Sequence, residues 1–166
     1  MAPTLKPRCL TDFATLPPQD MEALLLCARQ LQASAPAGSM QAALRGKNFG
    51  LLCDATDDRD AALFQRAASA LGAQVAHLRP NLSTFSTVQE VQHTARVLGR
   101  LYDAVDCVGM APDLVRRIGA DAGVPVFEGI ASPHHPTARL AGLLDAGTDD
   151  DRRCLVIQAL LLNALA

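Results

Sequence analysis

Two clusters hold the side chains of this 166-residue chain that could do chemistry. One is Asp57-Asp58-Arg59-Asp60-Ala61, with Asp54 just before it, and the other is His134-His135-Pro136-Thr137-Ala138. Each stands where a helical pattern begins. A helix N-terminus presents free N–H groups and the positive end of a dipole, and with arginine forks it grips a phosphate dianion. Here carboxylates surround the one Arg59. At ~4 Å two like charges repel by about 1 kcal/mol in water and about 4 kcal/mol at an effective dielectric of 20, so phosphate is expected to be repelled. The carboxylates could instead ligate a hard cation, but no second oxygen-ligand cluster accompanies them. The favoured reading is that Asp57, Asp58 and Asp60 cap the helix from Ala61 and complement its dipole, each worth roughly 0.3–1 kcal/mol. Arg59 is expected to pair with these neighbouring aspartates.

His135 could move a proton or polarise a carbonyl, but acid–base work needs partners that the local sequence does not supply. The default for it is a loop histidine whose Pro136 starts the next helix. His134 beside it invites a metal reading, yet neither cysteine nor carboxylate stands at ligand spacing, so no metal is expected. His77 and His93 stand alone. A phosphoacceptor site would fit Asp54, Asp57 and Asp58, but it also needs an acceptor after the third strand and a late lysine. Asp106 falls inside its strand, and no Lys follows Lys47. No Gly-x-Gly-x-x-Gly follows a strand, which removes a dinucleotide and leaves no cofactor expected.

The elements that must position these residues alternate. Proline starts and apolar residues at helical spacing predict helices at 18–34, 61–71, 87–102 and 112–122, with further helices at 136–144 and 151–165. Short apolar runs at 48–53, 74–78, 104–108 and 124–127 predict four strands. That order predicts an α/β fold, a doubly wound parallel sheet of about four strands flanked by helices, in a single domain. In the last helix Leu155, Gln158, Leu162 and Leu165 form one stripe with Leu161 beside it, so this helix is expected to pack.

Bulk properties narrow the function. A net charge of −2, 19% charged residues and one Tyr give neither a basic stripe nor stacking aromatics, so nucleic acid is not expected as a partner. The five cysteines are odd in number and scattered, and read as buried thiols in a reducing compartment. No apolar run is long enough to span a bilayer, and the first residues lack a signal core, so a cytoplasmic protein without membrane contact is expected.

Several segments are similar to the carbamoyl-phosphate domain of ornithine and aspartate carbamoyltransferases. His93-Thr94-Ala95-Arg96-Val97-Leu98-Gly99-Arg100-Leu101-Tyr102-Asp103 resembles the family's T-A-R-V-L-x-R-x-Y-D. His135-Pro136-Thr137-Ala138-Arg139-Leu140-Ala141-Gly142-Leu143-Leu144 resembles H-P-T-Q-x-L-A-D-L-L. Arg45-Gly46-Lys47 and Ala122-Gly123-Val124-Pro125-Val126 resemble its entries into the first and fourth strands. Asp151-Arg152-Arg153-Cys154-Leu155-Val156-Ile157-Gln158-Ala159-Leu160 is similar to the family's closing helix, E-N-R-x-x-x-I-K-A-L, which follows a second, amino-acid-binding domain. Here it comes directly after Leu144.

The resemblance also implies what is lost. The family's phosphate loop reads Ser-Thr-Arg-Thr-Arg, and of its aligned positions Asp57, Asp58, Arg59, Asp60 and Ala61 only Arg59 agrees. A further phosphate-binding arginine has become Val108, before Gly109. The lysine of a loop that reaches a neighbouring subunit is absent from the region of Ser83, Thr84 and Val88. His135 and Thr137 survive from the carbonyl-polarising His-Pro-Thr-Gln, while its glutamine is Ala138. Carbamoyl transfer rests on positioning and on stabilising developing negative charge, which one vestigial His135 cannot supply. The expectation is a non-catalytic carbamoyltransferase-like domain with a regulatory or scaffolding role, in a homotrimer or beside a full-length carbamoyltransferase. Two alternatives stay open. One is a small-molecule-binding protein whose altered pocket uses Asp57, Asp58, Asp60 and His135. The other is residual carbamoyl-phosphate binding or transfer in arginine and ornithine metabolism.

Overall fold

The computed structural model describes residues 17–35, 43–55 and 57–165. Cys9, the first residues and the 36–38 linker lie outside them. Four strands form one fully parallel sheet in the order β2-β1-β3-β4. They are β1 (Asn48–Leu52), β2 (Gln74–Leu78), β3 (Ala104–Cys107) and β4 (Val126–Glu128). Among the described residues five α-helices flank them: α1 (Pro18–Ser34), α2 (Arg59–Ala70), α3 (Val88–Leu101), α4 (Pro112–Ala122) and α5 (Asp149–Leu165). Alternate residues of the central strands feed two cores, as the period of two requires. Phe49, Leu51 and Phe127 pack with α1, α2 and α5, whereas Leu52, Val105, Cys107 and Val126 pack with α3 and α4. This is the doubly wound α/β sheet that the alternation of apolar runs predicts.

The segment His93–Asp103 is a set of close approaches. A Cβ on Gly99 would lie 1.7 Å from the carbonyl oxygen of Ala122, so glycine alone lets α3 meet the end of α4. Tyr102 lays its ring against Gly50, where an added Cβ would stand 3.0 Å from the ring. Asp103 accepts from the backbone N–H of Asn48 at 2.8 Å and lies 3.8 Å from the Lys47 ammonium, which ties the β3 entry to the β1 entry. Thr87 and Glu90 close a capping box that starts α3.

Three expectations need correction. Helix α2 starts at Arg59, two residues before Ala61, because Asp58 stands outside it as the N-cap. Residues 136–143 form a 3-10 helix rather than an α-helix, with Ala138 and Leu144 donating to carbonyls three residues back. Over eight residues the buried Thr137, Leu140 and Ala141 fit either period, so the pattern could not separate them. Helix α5 has no single buried stripe. Arg153, Cys154 and every residue from 156 to 163 are buried, while Leu155 and Leu165 are only partly so, because α1, α2 and the 3-10 helix enclose it.

Gly99→Ala separates these contacts from propensity. An exposed helical glycine would gain about 1 kcal/mol as alanine, whereas a clash with backbone is expected to cost about 2–3 kcal/mol net. Urea unfolding should show the midpoint falling with the slope unchanged, and a rise would contradict the close α3–α4 approach.

Candidate functional site

The C-terminal end of a parallel sheet is where such folds bind ligands, and here it gathers the α2 N-terminus, the turn after β4 and the 3-10 helix. At the α2 N-terminus the Asp58 side chain accepts from the Ala61 N–H at 3.0 Å. A carboxylate of the chain itself thus takes a hydrogen-bond donor that a bound anion would use. Asp57 is exposed outside the helix, and Asp60 lies within its first turn, so Asp58 alone makes the cap. Arg59 does not pair with these aspartates. Its guanidinium lies 2.8 Å from Asp150 at the start of α5. Asp60 has its carboxyl pushed up, first by burial and then by Asp58, against the lowering influence of Arg153, Arg59 and His134.

His135 is buried and caps the 3-10 helix. Its Nδ1 lies 2.7 Å from the Thr137 hydroxyl and accepts from the Thr137 N–H at 3.3 Å. A ring whose Nδ1 accepts carries its proton on Nε2. Burial pushes His135 down to about 4, so the ring is neutral at ordinary pH. The structure does not bring His135 to Arg59's groove, a space of about 320 Å³ lined by Asp57, Asp58, Arg59, Gln65 and His77. His77, which stands alone in sequence, joins this groove because its β2 side chain faces α2. Beside Thr137 and Ala138 the space holds only about 10 Å³, closed by Ile130, Arg153, Val156 and Ile157. That is at the lower limit for one water. Val108 is buried in the apolar core.

Two positioning residues escaped the sequence reading. Asp106 is fully buried, and its Oδ1 accepts from the Ile130 N–H at 3.3 Å. Its Oδ2 has no partner among the described residues. Burial, above all, holds its carboxyl up at about 7, with Asp60 adding to the rise and backbone N–H groups opposing it. Arg153, buried on α5, donates to the carbonyl of Ala131. Asp106 and Arg153 therefore grip the turn that leads to His135 from the sheet and from α5. A charged residue inside the apolar run 104–108 was the available signal for Asp106. Among the described residues no group of three or more His, Cys, Asp or Glu could hold a metal ion.

The sheet order and the helices on its two faces define the class, an open parallel α/β domain. Residues 8–146 match the family described as aspartate/ornithine carbamoyltransferase, carbamoyl-P binding domain. The chain belongs to that family. It is 37% identical over 144 residues to an ornithine carbamoyltransferase of Haemophilus influenzae (strain PittGG), a match covering 87% of this chain and 43% of the relative. Among solved structures, the ornithine carbamoyltransferase of Gloeobacter violaceus is 30% identical at a TM-score of 0.60, covering 81% of this chain and 42% of the other. That of Thermus thermophilus reaches a TM-score of 0.65 at 24% identity, covering 81% and 46%. The chain thus spans less than half the length of the curated relatives it matches.

Asp106 and His135, both buried, predict a particular pH profile. The Asp106 carboxyl, ordinarily near 3.8, sits at about 7 in the fold, so between those values the folded state keeps a proton that the unfolded state has lost. Its contribution makes stability fall as pH rises through that window, by up to about 1.4 kcal/mol per unit. His135, ordinarily near 6.5, sits at about 4, so its contribution makes stability fall as pH drops through that window. From about pH 4 to 6.5 the two slopes cancel. Asp106→Asn should expose the histidine slope, giving a variant that loses stability on acidification from pH 6.5 while the parent stays nearly flat. Parallel profiles in urea titrations would sink this account.

Proposed function

We propose that this chain is a non-catalytic carbamoyltransferase-like domain that serves as a regulatory or scaffolding subunit of an oligomer. The observation that carries the reading is double occupation of the phosphate loop. Asp58 takes the helix N–H of Ala61, and Asp150 takes the guanidinium of Arg59. Electrostatic stabilisation of a transferring group needs donors aimed at the charge that develops, and here the chain's own carboxylates use them. Val108 and Ala138 offer no polar side chain in place of the ligands that the family resemblance assigns there. The domain reading that goes with this places the whole chain in one unit, with 151–166 as the family's closing helix joined directly after the matched segment.

An oligomer is supported by Phe85, which is 95% exposed on a turn. Ser83 and Ser86 hydrogen bonds hold this turn, and Arg117 donates to the Ser86 carbonyl. Val88 extends the apolar surface beside it, and such a patch on an ordered turn suits a subunit contact, in line with the trimer the family resemblance implies. No helix among the described residues is long and apolar enough to cross a membrane, and a cytoplasmic location goes with the reading. A repurposed small-molecule pocket is the second reading, favoured by the groove that joins His77 and Gln65 to Arg59.

Titration calorimetry with carbamoyl phosphate is expected to give no saturable heat for the parent chain. The double variant Asp58→Ala, Asp150→Ala frees the α2 N-terminus and Arg59, and should gain measurable phosphate affinity. Saturable heat in the parent that vanishes in Arg59→Ala would establish residual substrate binding and overturn the non-catalytic reading. Sedimentation should show an assembly that Phe85→Asp weakens by about tenfold or more. A monomer at high concentration would end the scaffolding part.

A further inference from the structure

A second space, sharing no lining residue with the groove beside Arg59, lies between the C-terminal turns of α1 and α2 and the first turns of α5. Its volume is about 460 Å³, within the range of small-molecule sites. Leu31, Leu71 and Leu155 give it apolar walls, and Ala146 and Gly147 at its mouth belong to the connection into α5. A wholly apolar cleft would take any greasy body, so its polar groups decide the ligand.

Those groups are unevenly spent. Gln158, nine-tenths buried, donates through Nε2 to the Ala67 carbonyl at 3.3 Å, and Gln32 donates through Nε2 to the Ala146 carbonyl at 2.8 Å. Each amide is oriented by that bond, and among the described residues its Oε1 accepts no hydrogen bond. Arg66, the one cation of the lining among the described residues, is bonded to Asp151 across the same space. Asp151 balances the charge of Arg66, and the two amide oxygens stand beside that pair as acceptors. Helix α1 ends at this space with no basic residue in its last turn, so the negative end of its dipole adds to the preference for a donor. A ligand carboxylate would meet the Asp151 carboxylate and the amide oxygens, and would share Arg66 with Asp151.

We propose that the α1–α2–α5 cavity binds a small, mostly apolar molecule through an N–H head, an amine or primary amide, that donates to Oε1 of Gln158 and Gln32. This site stands apart from the vestigial phosphate loop and does not depend on the role proposed for the chain. Its place between α5 and the two helices beside it means that occupancy would brace the same helix that holds Arg59 and the turn before His135.

Three probes with one body separate the chemistry: 4-phenylbutylamine, 4-phenylbutyramide and 4-phenylbutyrate, each titrated into the full chain and followed by amide NMR. The amine and the amide should give saturable shifts of the Gln32 and Gln158 side-chain NH₂ signals, with the carboxylate at least about tenfold weaker. Ala70→Trp, at an exposed position on the rim, should weaken both binders by a similar factor, and Ala70→Ser should leave them unchanged. No saturable shift with either nitrogen probe overturns the site, whatever the variants do. Tighter binding of the carboxylate overturns its acceptor-lined chemistry, and binding untouched by Ala70→Trp overturns its location.

Discussion

Helix α5 is the element on which the rest depends, because it is enclosed on nearly every side and because its polar residues reach into each neighbouring part. Asp150 takes Arg59, Asp151 takes Arg66, Arg153 takes the Ala131 carbonyl and Gln158 takes that of Ala67. Its apolar residues close the core formed with α1 and α2. Removing such a helix would open a wide apolar face and leave the turn before His135 held from the sheet alone. Packing and site are therefore coupled through one segment.

The segments most similar to the carbamoyltransferases split into geometry and chemistry. Gly99, Tyr102 and Asp103 survive as contacts that set the distance between α3 and α4 and join the starts of β1 and β3. Those contacts serve any protein with this sheet, whatever it binds. His135 and Thr137 bridge the two groups. Their mutual hydrogen bonds cap a 3-10 helix, so their persistence has a structural reason independent of catalysis.

Much of the fold was legible because the cues are local. Pro18, Pro112 and Gly123 mark helix ends, and the apolar runs mark strands, so the α/β order followed from short-range pattern. What was not legible came from groups distant in sequence. The partner of Arg59 lies 91 residues away, and no local rule distinguishes Asp150 from the aspartates beside the arginine. Asp106 read as a residue inside a strand, and its grip on Ile130 appears only once β4 and its turn lie against β3.

By itself the sequence determined the class of fold and the family, since these follow from residue identity and spacing. Tertiary structure alone decided where the remaining charges went. Ion pairing depends on distance through space, and the chain folds so that α5 delivers its acidic first turn to Arg59 and Arg66. It also decided that His135 is a buried neutral cap outside the groove of Arg59, because burial and separation are properties of the packed molecule.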